Sequence, residues 1–258
     1  MTNQTDKSGD RVVGAAPAGA ADEASAATAV RDMFSSIAPR YDLLNHVLSM
    51  NVDRLWWNRT ARTFKQILNR PQARVLDLCC GTGDMTFALH SRAHGNSAEI
   101  TGADFSHAML VRAREKSGKR QIRWVEADAL QLPFGAGEFD LVTAAFGFRN
   151  LANYNRGLTE IYRVLTAGGE VGILDFGEPK GVVGQVYRFY FHRILPAIGT
   201  VISGVSGPYK YLPASVQRFP PPEEMLQRMR DAGFRDVSWT PYTFGIAGLY
   251  RGKKPTPA

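Results

Sequence analysis

The sequence predicts an α/β chain built on a doubly wound, mostly parallel seven-stranded sheet with an antiparallel edge strand. Three observations predict it. Short apolar runs at residues 73–78, 99–104, 122–126, 139–145 and 170–175 alternate with segments of helical spacing, the pattern of a parallel sheet with right-handed crossovers. A glycine loop, Gly81-Thr82-Gly83, follows the first run. After residue 177 the alternation lapses. It returns as a helix over 222–232 and strands over 237–240 and 243–251, and a hairpin there gives the antiparallel strand.

Residues 1–29 read as a disordered tail. The stretch 14–29 is mostly Ala, Gly, Ser and Pro without Leu, Ile or Phe, so it can bury little. It lacks the basic start and compact apolar core of a secretory signal. No window offers ~18 uncharged apolar residues, so no spanning helix is expected. Residues 30–258 read as one domain. Helices are expected at 30–34, 43–48 and 56–68, within an N-terminal helical part at 30–70. A core at 71–176 follows, then an insertion at 177–221 and a C-terminal helix with strands at 222–254. Within the core, 85–93 is helical and Ser106 caps a helix running to about residue 117. Asn153 caps another, to 165, which Thr166-Ala167-Gly168-Gly169 stops.

The 258 residues, 44% of them apolar, are enough for one full α/β core. A net charge of +7 suits nucleic acid, an anionic membrane surface or an acidic substrate, and does not choose among them. The only cysteines, Cys79 and Cys80, are adjacent, a geometry that disfavours a bridge. They read as reduced packing residues in a cytoplasmic protein. No Cys/His spacing suggests a metal.

The glycine loop narrows the ligand. After a first strand of this kind, such a loop lets backbone N–H groups approach a nucleotide. A dinucleotide fingerprint requires a third glycine, and here Gly81-Thr82-Gly83-Asp84-Met85-Thr86 places Thr86 at that position. A phosphate loop with Gly-Lys-Ser/Thr is also missing. The fitting cofactor has a ribose and an amino acid but no pyrophosphate: S-adenosylmethionine. Asp104, at the tip of the second strand, is placed to accept both ribose hydroxyls, and Asp128 beside Ala129 to meet the adenine amino group. Asp77 braces the loop or meets the methionine amino group.

With Asp77–Asp84, Asp104 and Asp128 in hand, the core resembles the class I S-adenosylmethionine methyltransferase fold. The segment Met33-Phe34-Ser35-Ser36-Ile37-Ala38-Pro39-Arg40-Tyr41-Asp42-Leu43-Leu44-Asn45 resembles the opening of the ubiquinone/menaquinone biosynthesis C-methyltransferase family. So do Phe146-Gly147-Phe148-Arg149-Asn150, Tyr162-Arg163-Val164-Leu165 with Gly168-Gly169, Tyr209-Lys210-Tyr211-Leu212 and Phe244-Gly245-Ile246-Ala247. The likeness covers residues 30–254. Cys79-Cys80, Asn51-Val52-Asp53 and Tyr242-Thr243-Phe244-Gly245 look more like the demethylmenaquinone methyltransferases than the ubiquinone branch. The resemblance implies cofactor contacts at Thr82, Asp104, Asp128 and Ala129, with Asp77, Gly81 and Gly83 forming the loop. A serine that some members carry before the Phe-Gly segment is Ala145 here.

The resemblance also implies methylation of a ring carbon in a prenylated hydroquinone. That carbon becomes nucleophilic when a neighbouring phenol, with an ordinary pKa of about 10, ionises. Arg149 is the candidate fixed cation for the phenolate and Asn150 a group that orients it or a water; Tyr41, Asp84 and Tyr211 are further candidates. His46, His107 and His192 read as surface or packing residues. The apolar, aromatic stretch 182–212, with Arg188 and Arg193, suits a helical substrate cover that walls a polyprenyl tail and meets anionic lipid at the inner face of the cytoplasmic membrane. The expected partners are therefore a prenylated hydroquinone and the membrane surface, with a homodimer left open and no nucleic acid or metal. A nucleic-acid methyltransferase is disfavoured because the segment after the fourth strand, Ala145-Phe146-Gly147-Phe148, lacks the Pro-Pro of amino-directed enzymes, and its basic residues are scattered. A methyltransferase for another lipophilic phenol and a cofactor-binding module without catalysis remain as rivals.

Overall fold

The computed structural model describes residues 13–15, 17, 20–38, 52–93, 98–179, 181, 184–185 and 207–256. These include seven strands: β1 (Ala73–Leu78), β2 (Ala98–Asp104), β3 (Ile122–Glu126), β4 (Phe139–Ala145), β5 (Leu165–Phe176), β6 (Arg235–Tyr242) and β7 (Ala247–Lys253). They form one sheet in the order β3-β2-β1-β4-β5-β7-β6. β1 to β5 are parallel, and β7 lies antiparallel between β5 and the outermost β6. Strands buried on both faces must be apolar throughout; Val75, Leu76 and Leu78 of β1 are fully buried. The chain leaves β1 toward β2 on one side and reaches β4 on the other. This reversal opens a crevice at the carboxyl ends of β1 and β4, where ligands of such sheets bind.

Among the described residues the main helices are α1 (Glu23–Ile37), α2 (Val52–Thr63), α3 (Lys65–Leu68), α4 (Asp84–Arg92), α5 (His107–Ser117), α6 (Tyr154–Val164), α7 (Gly207–Arg218) and α8 (Pro222–Asp231). One apolar cluster joins Trp56 and Phe64 to Leu89, Ile100, Leu141 and Leu249. On the other face Leu76, Val142, Phe148, Leu158, Ile161 and Phe234 form a second. Each such large side chain removed from water contributes about 1.5–3 kcal/mol.

Several sequence expectations shift. Order begins before residue 30. Asp22 caps α1 in a capping box with Ser25, Ala26 is fully buried, and Ala15 donates its amide to Leu151 O at 2.7 Å. The small side chains, expected to bury little, allow this close approach. Ser106 stands at the N-cap of α5 without capping it; its hydroxyl pairs with Ser35 Oγ at 3.0 Å. The Gly168-Gly169 pair does not stop α6, which ends at Val164 and passes directly into β5. The pair lies instead in an irregularity of β5, where Phe139 faces Leu165 and Leu141 faces Glu170. The last strand starts at Ala247, because Thr243–Gly245 forms a 3₁₀ turn in which all three residues are left-handed. The expected helix at 43–48 and most of the apolar stretch 182–212 lie outside the described residues.

Candidate cofactor and substrate cleft

The crevice is a cleft open to solvent. Its walls are Cys79 and Gly81 after β1, Asp104 and Phe105 at the end of β2, and Asp128, Ala129 and Leu130 after β3; Phe146, Gly147 and Asn150 follow β4, and α1 adds Ala27 and Phe34. Cys79 and Phe146, at the tips of adjacent strands, both have positive φ, 54° and 58°. Such strain in non-glycine residues gathers where backbone must be re-aimed at a ligand. Gly147 allows it: a Cβ there would sit 2.3 Å from Cys79 Cβ. Both cysteines are free, and burial pushes both thiols well above their ordinary pKa, with the Asp104 charge adding to it.

The acids of the cleft differ in their partners. Asp104 is buried, with Oδ2 accepting the Gly81 amide at 2.8 Å and Oδ1 the Ser106 amide at 2.9 Å. Burial raises its pKa to about 6. Each carboxylate oxygen can accept more than one hydrogen bond, and the group lines the cleft. Asp128 is exposed on the wall, its Oδ1 accepting the Leu130 amide at 2.8 Å. Asp77 is fully buried below the loop and off the cleft wall. Its oxygens accept the hydroxyls of Thr86, at 2.6 Å, and Thr143, at 2.7 Å. Burial, with the nearby Asp104 charge, raises its pKa to about 7. The residue that replaces the third glycine thus ties α4 to β1.

The remaining loop candidates, Thr82, Gly83 and Asp84, are not among the residues that line the cleft. Lys116 Nζ of α5 donates to Thr82 Oγ1 at 3.1 Å and Asp84 Oδ1 at 2.8 Å, and neither residue lines the cleft. Gly83, at φ 94°, packs under Trp124, whose ring lies 2.8 Å from where a Cβ would be. Asp84, a catalytic candidate from the sequence, is held in this ion pair.

After β4, a 3₁₀ turn (Phe148–Asn150) separates the two candidates it carries. Arg149 is buried and does not line the cleft. Its guanidinium donates to Asp175 Oδ1 at 2.9 Å, to Ser215 Oγ at 3.3 Å and to Phe146 O, and stacks over Phe176. This is a charge committed to an internal partner. Asn150 does line the cleft. Tyr211 of α7 donates its hydroxyl to Asn150 Oδ1 at 3.1 Å, and burial pushes that phenol up to about 12, so it remains a donor. Sequence reasoning missed Asp175, Ser215 and Lys116. Only Asp175 left a signal, as an acid inside the apolar run Ile173-Leu174-Asp175-Phe176, which calls for a buried partner. Tyr41, His46 and His192 lie outside the described residues, and His107 pairs with Glu126 at the surface.

The ubiE/COQ5 methyltransferase family model matches residues 21–254. The demethylmenaquinone methyltransferase of Deinococcus radiodurans is 51% identical over 229 residues, which is 88% of this chain and 92% of that protein. The ubiquinone/menaquinone biosynthesis C-methyltransferase UbiE of Geobacter sulfurreducens is 42% identical over 87% of this chain and 88% of its own length. A SAM-dependent methyltransferase structure from Thermotoga maritima, 18% identical, superposes with a TM-score of 0.61 over 87% of this chain and 99% of that one, a likeness of fold. The match begins at the start of α1 and runs through β7, over the whole cleft, and on that span the chain belongs to the ubiE/COQ5 methyltransferase family.

Proposed function

We propose that the chain transfers a methyl group from S-adenosylmethionine to a ring carbon of a polyprenylated hydroquinone, converting demethylmenaquinol to menaquinol. The observation that carries this reading is the 51% identity, across nearly the full length, to a protein of that name. The alternative is the benzoquinol methylation of ubiquinone biosynthesis, which the name of the 42% identical relative also covers.

The donor set fits the cofactor. Asp104 can accept ribose hydroxyls while keeping its Gly81 and Ser106 amides. Asp128, exposed beside Ala129, suits the adenine amino group, with Leu130 and Met109 as apolar walls. When bound, the sulfonium supplies an already activated methyl group. The chain's own task is to favour the phenolate of the acceptor ring. Asn150 is the cleft residue suited to it: with Oδ1 held by Tyr211, its Nδ2 can donate to a ring oxygen. Arg149 acts behind it by fixing the turn. A prenylated substrate dissolves in membrane, so the enzyme is expected to work at the inner face of the cytoplasmic membrane; no helix among the described residues is long and apolar enough to cross it.

Incubation with methyl-labelled S-adenosylmethionine and either demethylmenaquinol or its benzoquinol counterpart, followed by product mass, tests the reading. Label in the naphthoquinol ring supports it, and label in the benzoquinol alone favours the alternative. Cofactor binding without transfer to any quinol overturns both.

A further inference from the structure

Among the described residues, Leu55 and Phe244 are by far the most exposed large apolar side chains, at 68% and 81%. They belong to different ends of the sequence and to one place in the fold. The residue after Leu55 is Trp56, and its indole N–H donates to Thr243 Oγ1, beside Phe244, at 2.8 Å. Phe244 is held outward by the left-handed turn, with φ 57° and ψ 21°, a conformation costly to any residue with a Cβ. A turn that only met water would gain by having Asn or Gly there.

On the α2 side the surroundings are cationic, while Glu178 is exposed beside the turn. The exposed side of α2 carries Arg54, Arg59 and Arg62 around Leu55, and Lys65 follows at the start of α3. The one acid of α2, Asp53, is buried. This patch adjoins the cleft: the Trp56 ring lies 5.7 Å from that of Phe146, a cleft wall. The same turn meets the chain where it leaves β5 for the insertion, through the Gly177 amide on Ile246 O at 2.9 Å.

We propose that the outer side of α2 and the Thr243–Gly245 turn form the docking surface for an anionic lipid bilayer. Leu55 and Phe244 enter the acyl boundary, and Arg54, Arg62 and Lys65 meet lipid phosphates, while the Arg59 guanidinium stacks over the Tyr242 ring. Apolar tips ringed by cations are the features that hold a protein in the interfacial plane. This rests on the reading of a prenylated substrate, because it puts the cleft beside the phase in which such a substrate dissolves.

The test is flotation of the full chain with vesicles of phosphatidylcholine alone or with added phosphatidylglycerol, together with methyl transfer to a short-tailed, water-soluble quinol. Wild type should float with the anionic vesicles and release at high salt. Leu55→Ser with Phe244→Ser should weaken partitioning on the order of tenfold per side chain. Arg54→Gln, Arg62→Gln and Lys65→Gln should each weaken it about fivefold. All variants should keep wild-type turnover of the short-tailed quinol, which shows that they fold. Equal flotation of variants and wild type, or no flotation of wild type, overturns the surface even if the quinol is methylated. Flotation that responds to these variants while no quinol is methylated leaves the surface standing and removes the reaction. Tight binding of duplex RNA by wild type without flotation would assign the cations to nucleic acid and also overturn it.

Discussion

Asp175 holds Arg149 at two points: its Oδ2 accepts the Arg149 backbone amide at 3.1 Å and its Oδ1 the guanidinium at 2.9 Å. The side chains are 0% and 6% exposed. Through this pair β5 fixes the turn after β4, while Ser215 and Tyr211 link that turn to α7. Asp175→Ala leaves a buried cation without its partner, a change that costs roughly 3–5 kcal/mol. Chemical denaturation should show that loss, and quinol turnover should fall more than cofactor affinity. An unaltered denaturation midpoint would contradict the arrangement.

Asp104→Asn retains the shape of the carboxylate and removes its charge. One side-chain oxygen then becomes an NH₂ group facing the Gly81 or Ser106 amide. Two charge-assisted acceptor contacts to a ribose, each worth about 1.5–3 kcal/mol, are weakened together. Titration calorimetry should show affinity for S-adenosylmethionine down by on the order of a hundredfold, with the far-UV spectrum unchanged.

Asp77 at about 7 and Asp104 at about 6 both lie above the ordinary carboxylate value of 3.8. Between that value and their folded values, the native state binds more protons than the unfolded chain. These two acids therefore favour folding increasingly as pH falls from about 7 toward 4, and that contribution is lost as pH rises through 6 and 7. Cofactor-free protein should melt at a higher temperature near pH 6 than near pH 8, and Asp77→Asn should flatten that slope. Cofactor affinity should run the other way, falling as Asp104 is protonated below about pH 6. A melting temperature that rises steadily with pH across this range would refute the assignment.

Thr86→Gly restores the spacing of a dinucleotide fingerprint, but it deletes the hydroxyl bonded to Asp77 and opens buried space. The expected loss is about 1–3 kcal/mol of stability, with no gain of nicotinamide dinucleotide binding. Thermal melts and a dinucleotide titration would check both halves.

Gly147→Ala places a Cβ against Cys79 at 2.3 Å. Stability and methyl transfer should both fall. Adding Cys79→Gly removes the opposing atom and relaxes the φ of 54°, so the double variant should recover much of the loss. A coupling of roughly 0.5–3 kcal/mol in the double-mutant cycle is the expected signature.

The parallel strands were legible because each is a short apolar run, and Asp104 because it ends one of them. What escaped the sequence was tertiary pairing. The partner of Arg149 was not legible because Asp175 lies 26 residues away on the next strand, brought alongside only by the register of Ala145 with Leu174. The Lys116 contacts of Thr82 and Asp84 were not legible either, because Lys116, 34 and 32 residues distant, reaches them only after α5 packs back onto β2 and β3. The start of α1 leaves a signal in the sequence, since Asp22 and Ser25 have capping-box spacing, but the small residues around them read as disorder.

The placement of β7 between β5 and β6 also sets the order in which the sheet can be completed during synthesis. Among the described residues the outer edge of β5 pairs only with β7, so until residues 247–253 have left the ribosome it remains unpaired, and β6, although made earlier, has no place to attach. That edge belongs to a strand whose Val171, Ile173 and Leu174 are fully buried in the finished sheet, and an open apolar edge is a template for pairing with other chains. A chain stopped before residue 247 is therefore expected to be an aggregating fragment rather than a smaller enzyme, even though every wall of the cleft has by then been translated.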